Sequence, residues 1–150
     1  MAQAVAADWS PEVYALGGLV GRDALQAPEQ FQDRLYLAFP SSAGDVEPQA
    51  WADFTAFHRR HELPNGGLAP QSSAYAATDL LVAALRDGGR ELSREGLVAG
   101  LGSLYAHTTG LTPPLTYTGS RRIGARGAHI VGVDLEGRRL LADPQWVETR

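Results

Sequence analysis

The chain has 150 residues, 44% of them hydrophobic and 20% charged, which is enough for one globular domain and excludes a charge-dominated disordered segment. Cysteine is absent, so disulfides, thiolate metal sites and a cysteine nucleophile are excluded, while the choice of compartment stays open. The net charge is −4 and all 13 basic residues are Arg; an acidic chain lacks the basic excess of a nucleic-acid binder, and Arg without Lys reads as genome composition rather than as a site.

No apolar run approaches the roughly 18 residues that cross a bilayer, so no transmembrane helix is expected. The start, MAQAVAADWSPEV, has neither a basic segment nor an apolar h-region and does not read as a signal peptide. Val13 to Leu16 are β-compatible and run into Gly17 and Gly18, the pattern of a short buried strand ending in a tight loop. GRDALQAPEQFQD then reads as a loop with one helical turn. Arg34 to Phe39 (RLYLAF) is a second apolar strand, stopped by Pro40, which lacks the N–H a ladder needs.

Pro48 sits where proline favours a helix start, and Trp51, Phe54, Phe57 and His61 recur at helical spacing, so an amphipathic helix is expected up to about Pro64. The linker PNGGLAP is turn-rich. A second helix is expected from about Ser73 to Asp87, with Ala77, Leu81, Ala84 and Leu85 as its apolar face and Gly88 and Gly89 as its stop. Ser93 reads as the N-cap of a third helix, with Leu92 and Leu97 spaced as a hydrophobic staple and Val98, Leu101 and Leu104 continuing the stripe. Its interior glycines, Gly96, Gly100 and Gly102, weaken it by about 1 kcal/mol each relative to Ala. Two prolines make Leu111 to Pro114 extended. Strands are expected at Leu115 to Thr118, Ala128 to Asp134 and Arg139 to Leu141, with Glu136-Gly137 as a turn.

The run from Gln71 to Gly137, beginning QSSAYAATDLLVAALRDGG, resembles the C-terminal part of type I periplasmic solute-binding proteins, the branched-chain amino acid receptor family of ABC importers. The resemblance extends back to PEVYALGGLVGRDAL at Pro11. It implies an α/β chain holding part of a type I periplasmic binding protein fold, with short sheet strands and three helices. That fold has two lobes, each a parallel sheet wrapped by helices, and needs roughly twice this length. Residues 1–39 and 115–150 would belong to the second lobe, and 41–110 would supply first-lobe helices, with crossings at Phe39-Pro40-Ser41 and around Gly110 to Pro114. The strands those helices pack on in the complete fold precede this chain. Their apolar stripes either repack on the short strands here or are covered by another chain, since large exposed apolar patches drive association.

The resemblance implies a small polar or amino-acid-like solute held in an interlobe cleft, no catalysis, no cofactor, a periplasmic location and a membrane permease as partner. Tyr75 matches an aromatic position at the start of a cleft-facing helix; its other reading is a packing tyrosine. The loop Gly18-Leu19-Val20-Gly21-Arg22 matches the place where amino-acid-binding members carry an acidic residue for the ligand's ammonium. No carboxylate stands here until Asp23, which argues against an α-amino acid, because a buried ammonium without a counter-charge is costly. Arg22 suits a ligand carboxylate or forms a solvated pair with Asp23.

Other constellations are weaker. His58 and His61 share a helical face, but Arg59 and Arg60 lie between them and no third ligand is indicated, so no metal is expected. His107, Thr108 and Thr109 with Asp79 or Asp134 lack a nucleophile elbow, and His107 reads as a helix end. Gly17-Gly18-x-x-Gly21 lacks the Lys-Ser/Thr helix start of a phosphate loop. Arg121, Arg122 and Arg126 read as a turn between second-lobe strands, either solvated or a docking surface for the permease. The competing functions are a solute receptor and a truncated remnant acting as a homo-oligomerising interaction module.

Overall fold

The computed structural model describes residues 1–90 and 93–148. The expected Leu92–Leu97 staple involves Leu92 and lies outside the described residues. The chain divides into two compact units: Met1–Pro40 with Gly127–Arg150, and Ser41–Arg126.

The first unit is built on a sheet. A short helix, α1 (Ala2–Ala6), precedes β1 (Val13–Leu16), which runs into a single helical turn, α2 (Gly17–Val20), where a loop was expected. The following segment forms two 3-10 turns, Gly21–Gln26 and Glu29–Phe31, and leads to β2 (Leu35–Phe39). β1 and β2 pair in parallel, Val13 opposite Leu35, as expected of two strands separated by a helical crossover. Later in the chain β3 (Gly127–Asp134), β4 (Arg139–Leu140) and β5 (Gln145–Glu148) complete the unit.

β3 joins β2 antiparallel, with Leu37 opposite Val131, and both β4 and β5 pair antiparallel with β3. The sheet is therefore mixed, whereas the family resemblance implied a parallel one. The hairpin at Leu135–Arg138 accounts for the β3–β4 pair, because so short a connection can only reverse a strand; β3 itself already runs antiparallel to β2 after the long excursion through residues 41–126. The core comprises Ala24, Phe31, Leu35, Leu37, Val133 and Leu135, with Leu37 and Phe31 each 1% exposed. Alternation along β2 turns Leu35 and Leu37 inward, while Tyr36 stacks on Tyr14 at 5.0 Å. Gln32 Oε1 accepts the Leu135 N–H at 2.8 Å, tying the 3-10 segment to the end of β3.

The second unit is helical. Ser42 and Asp45 form a capping box around a 3-10 turn, and α3 (Pro48–Arg60) follows with Pro48 at its first position. α4 (Leu68–Asp87) starts five residues before the expected Ser73, from Gly67 in the left-handed conformation (φ 73°). Pro70 is no obstacle there, because first-turn N–H groups have no intrahelical acceptor. The face that α4 buries is Ala76, Leu80 and Ala84; of the expected Ala77, Leu81, Ala84 and Leu85, Ala84 is buried and Leu85 half-buried, whereas Ala77 is exposed and Leu81 is 43% exposed. Phe54, Ala76 and Leu111 form a small core of their own.

α5 (Arg94–Ser103) is capped by Ser93, whose Oγ accepts the Gly96 N–H at 2.9 Å. A Cβ on Gly100 would stand 2.5 Å from the Ala84 carbonyl oxygen, so the glycine that weakens α5 locally is what lets α5 approach α4. Leu115 to Thr118 is not a strand: single bridges join His107 to Leu115 and Thr118 to Arg121. Residues 115–126 thus fold back on the end of α5 within this unit, with the Tyr117 N–H donating to the Leu104 carbonyl at 2.9 Å.

Candidate functional site

The sequence candidates fall into two groups, one in each unit. In the sheet unit, Gly18, Leu19, Val20 and Arg22 follow β1 at the point where the strand turns out of the sheet. Leu19 is 81% exposed, and Arg22 is exposed and makes no ion pair or hydrogen bond among the described residues. Leu19 and Val20 line a hollow of about 460 Å³ whose floor is Leu35 and Leu37. Asp23, the first carboxylate after the loop, lines it as well, while Gly18 and Arg22 do not. The expected Arg22–Asp23 pair does not form.

In the helical unit, Tyr75 sits on α4 against two aromatic rings of α3. Its ring centroid lies 5.7 Å from Phe54 and 5.2 Å from Phe57, tilted in both cases, geometries that suit the ring quadrupoles. Phe54 is 1% exposed and Phe57 is 39% exposed, so the cluster has a closed side and an open one. The open side is a groove of about 420 Å³ lined by Phe57, Leu63, Tyr75, Val82, Asp79 and Arg86 among others. Tyr75 is therefore both a packing residue and a groove residue. The expectation had missed Phe57, Val82 and Arg86, although Tyr75, Asp79, Val82 and Arg86 follow each other at intervals of three or four, the signal of a shared helical face.

Asp79 is engaged by His107, whose Nε2 lies 3.4 Å from Asp79 Oδ2. His107 is not the end of a helix, since α5 stops at Ser103; it is held by a reciprocal backbone pair with Leu115 at 2.7 and 2.8 Å. His58 is 8% exposed, with Nε2 at 3.1 Å from the Pro64 carbonyl, and His61 lies on Phe57 with centroids 4.4 Å apart. Arg121 closes its own turn, donating from Nε to the Ile123 carbonyl and from Nη2 to the Gly124 carbonyl, within the helical unit rather than between strands.

The chain is a mixed α/β fold that leaves its sheet for a set of helices and returns to the same sheet, and this arrangement is similar to a periplasmic-binding-protein fold. A solved structure that shares it is a fatty acid ABC transporter substrate-binding protein from Thermomonospora curvata, with a TM-score of 0.60 and 17% identity over 99% of this chain and 39% of that one. The chain spans 39% of that protein's length, and at this identity the likeness is one of fold. No family model and no curated protein matches the chain. No described helix is long and apolar enough to cross a membrane.

Proposed function

We propose that the chain acts as a solute-binding component of an ABC-type importer, in the periplasm and in partnership with a membrane permease, binding a small solute without transforming it. The observation that carries this reading is Tyr75: the aromatic position singled out from the sequence lines an open aromatic groove. A fold shared over 99% of the chain with a substrate-binding protein supports it. In the sheet unit, Leu19 and Val20 serve the same role at their hollow; residues 1–39 and 127–150 act as second-lobe material and 41–110 as first-lobe helices, with 115–126, expected in the second lobe, grouped with those helices.

The nature of the two linings favours a solute with an apolar body. Phe54, Phe57, Leu63, Tyr75 and Val82 offer dispersion contacts, and few polar groups fix orientation, as in many small-molecule sites. The fatty acid in the neighbour's name fits such a lining better than the amino-acid-like solute that the resemblance implied.

Trp51, whose ring lies 5.4 Å from Phe54, is a native fluorescence reporter for the test. A panel of fatty acids, apolar amino acids and alcohols is titrated against the purified chain, with thermal shift in parallel. At least one solute is expected to saturate the signal, and Tyr75→Ala should weaken it about tenfold, ~1.4 kcal/mol. A folded chain whose melting temperature and fluorescence no solute alters would overturn the reading.

A further inference from the structure

The groove between α3 and α4 has a direction. Gln71, Tyr75, Asp79, Val82 and Arg86 line it from one face of α4, and Gln71 and Arg86 are separated by roughly 22 Å along the axis at ~1.5 Å per residue. Side chains on a helix lean towards its N-terminus, so the Arg86 side chain reaches back over the turn that carries Val82. The lining is thus a strip, not a compact pouch.

Its two ends differ in chemistry. At the Gln71 end the amide nitrogen is already committed, donating to the Pro64 carbonyl at 3.0 Å and the Gly66 carbonyl at 2.8 Å. Swapping its N and O would set Oε1 against those two carbonyl oxygens, so the orientation is fixed and no donor is offered to a ligand there. The middle is apolar: Phe54, Phe57, Leu63, Tyr75 and Val82. At the far end Arg86 has no ion pair or hydrogen bond among the described residues, whereas Asp79, the other charged lining residue, holds His107 at 3.4 Å.

On the reading of this groove as the helical unit's solute site, we propose that its ligand is an elongated amphipathic anion, a straight-chain carboxylate. Its chain lies along Phe57, Tyr75 and Val82, and its head is held by the Arg86 guanidinium. The fork of Arg86 matches a carboxylate bidentately. A compact α-amino acid would cover only part of the strip and bring an ammonium near an uncompensated Arg.

Three probes with one chain and different heads test this: dodecanoate, dodecanol and dodecylamine, each below its micelle concentration, titrated into the full chain by calorimetry. Dodecanoate is expected to bind with one site and about tenfold tighter than dodecanol, a difference typical of one charge-assisted pair, with dodecylamine weakest. Arg86→Gln should remove the preference for dodecanoate and keep dodecanol binding, which also shows that the groove is intact. Val82→Glu should weaken all three, with far-UV circular dichroism confirming the helices.

Equal or tighter binding of dodecanol or dodecylamine, or a carboxylate preference that survives Arg86→Gln, overturns the proposal. If a compact solute binds with dependence on Tyr75 while dodecanoate does not, the solute-binding reading stands and the elongated class falls. If neither binds and light scattering shows a dimer that Val82→Glu dissociates, the groove is an interface between copies and both readings fall.

Discussion

The sheet unit and the helical unit solve burial differently. The first gathers Phe31, Leu35, Leu37, Val133 and Leu135 from segments about a hundred residues apart into one cluster, and strand pairing supplies the frame. The second packs α3 and α4 on a cluster of Phe54, Ala76 and Leu111 and sets α5 against α4 at Gly100 and Ala84, while Trp51, Phe57, Leu68, Leu81, Val82 and Val98 on the three helices are each more than a third exposed. An amphipathic helix needs a layer to cover its stripe, and a sheet face is a common one. The helical unit has no strand among the described residues beyond isolated bridges, so its apolar stripes stay partly open, and the groove beside Tyr75 is one of those openings.

The sharpest way to break this comparison is to empty each core. Phe54→Ala is expected to cost about 3–5 kcal/mol and Leu37→Ala about 2–5 kcal/mol, read from denaturant midpoints. Loss of less than ~1 kcal/mol for Phe54→Ala would mean that the aromatic cluster is a surface feature and not a core. Gly100→Ala tests the close approach of α5 to α4. The added Cβ, 2.5 Å from the Ala84 carbonyl oxygen, should cost about 1–3 kcal/mol net of the ~1 kcal/mol gained in helix propensity. A net stabilisation would show the two helices free to separate.

A smaller effect is expected from Ser93→Ala, which removes the acceptor for the Gly96 N–H and should cost about 1 kcal/mol, seen as reduced amide protection in the first turn of α5. The smallest concerns the turn after β3. The Asp134 carboxylate accepts the Gly137 N–H at 2.8 Å and Arg139 Nε at 2.9 Å, and these bonds, the Gly137 one foremost, hold its carboxyl below the ordinary value of 3.8. A carboxyl depressed in the folded state contributes stability above its unfolded value, and that contribution is lost as pH falls through the folded one. Asp134→Asn should therefore lower the melting temperature slightly at neutral pH and not at all in strong acid; a difference that persists in acid would locate the effect in the side chain's shape rather than its charge.

The legibility of the two units also differed. β1, β2 and β3 were readable from apolar runs with stops at Gly17 and Pro40, and α3 and α5 from Pro48 and Ser93. β5 was not, because all four of its residues are exposed and nothing in Gln145–Glu148 alternates; where it pairs with β3, Trp146 lies opposite His129 and close over Gly127, where a Cβ would stand 2.5 Å from the ring. Among the residues that line the groove, Tyr75 alone had been singled out from the sequence as a solute contact. Its neighbours Phe57, Val82 and Arg86 needed the groove to single them out, since an exposed apolar residue or an unpaired Arg on a helix is ordinary.

By itself the sequence determined where segments begin and end and which residue types stand at the turns, because caps, prolines and local alternation act within a turn or two of the chain. The start of α4 at Gly67, ahead of Pro70, shows the limit of that rule. Tertiary structure alone decided the rest: the mixed sheet, the Ala76–Leu80–Ala84 face of α4, the return of residues 115–126 onto α5, and the meeting of Tyr75 with Phe54 and Phe57. Each of these depends on contacts between residues far apart in the chain, and it is the shape of the partner, not local preference, that selects among faces of similar polarity.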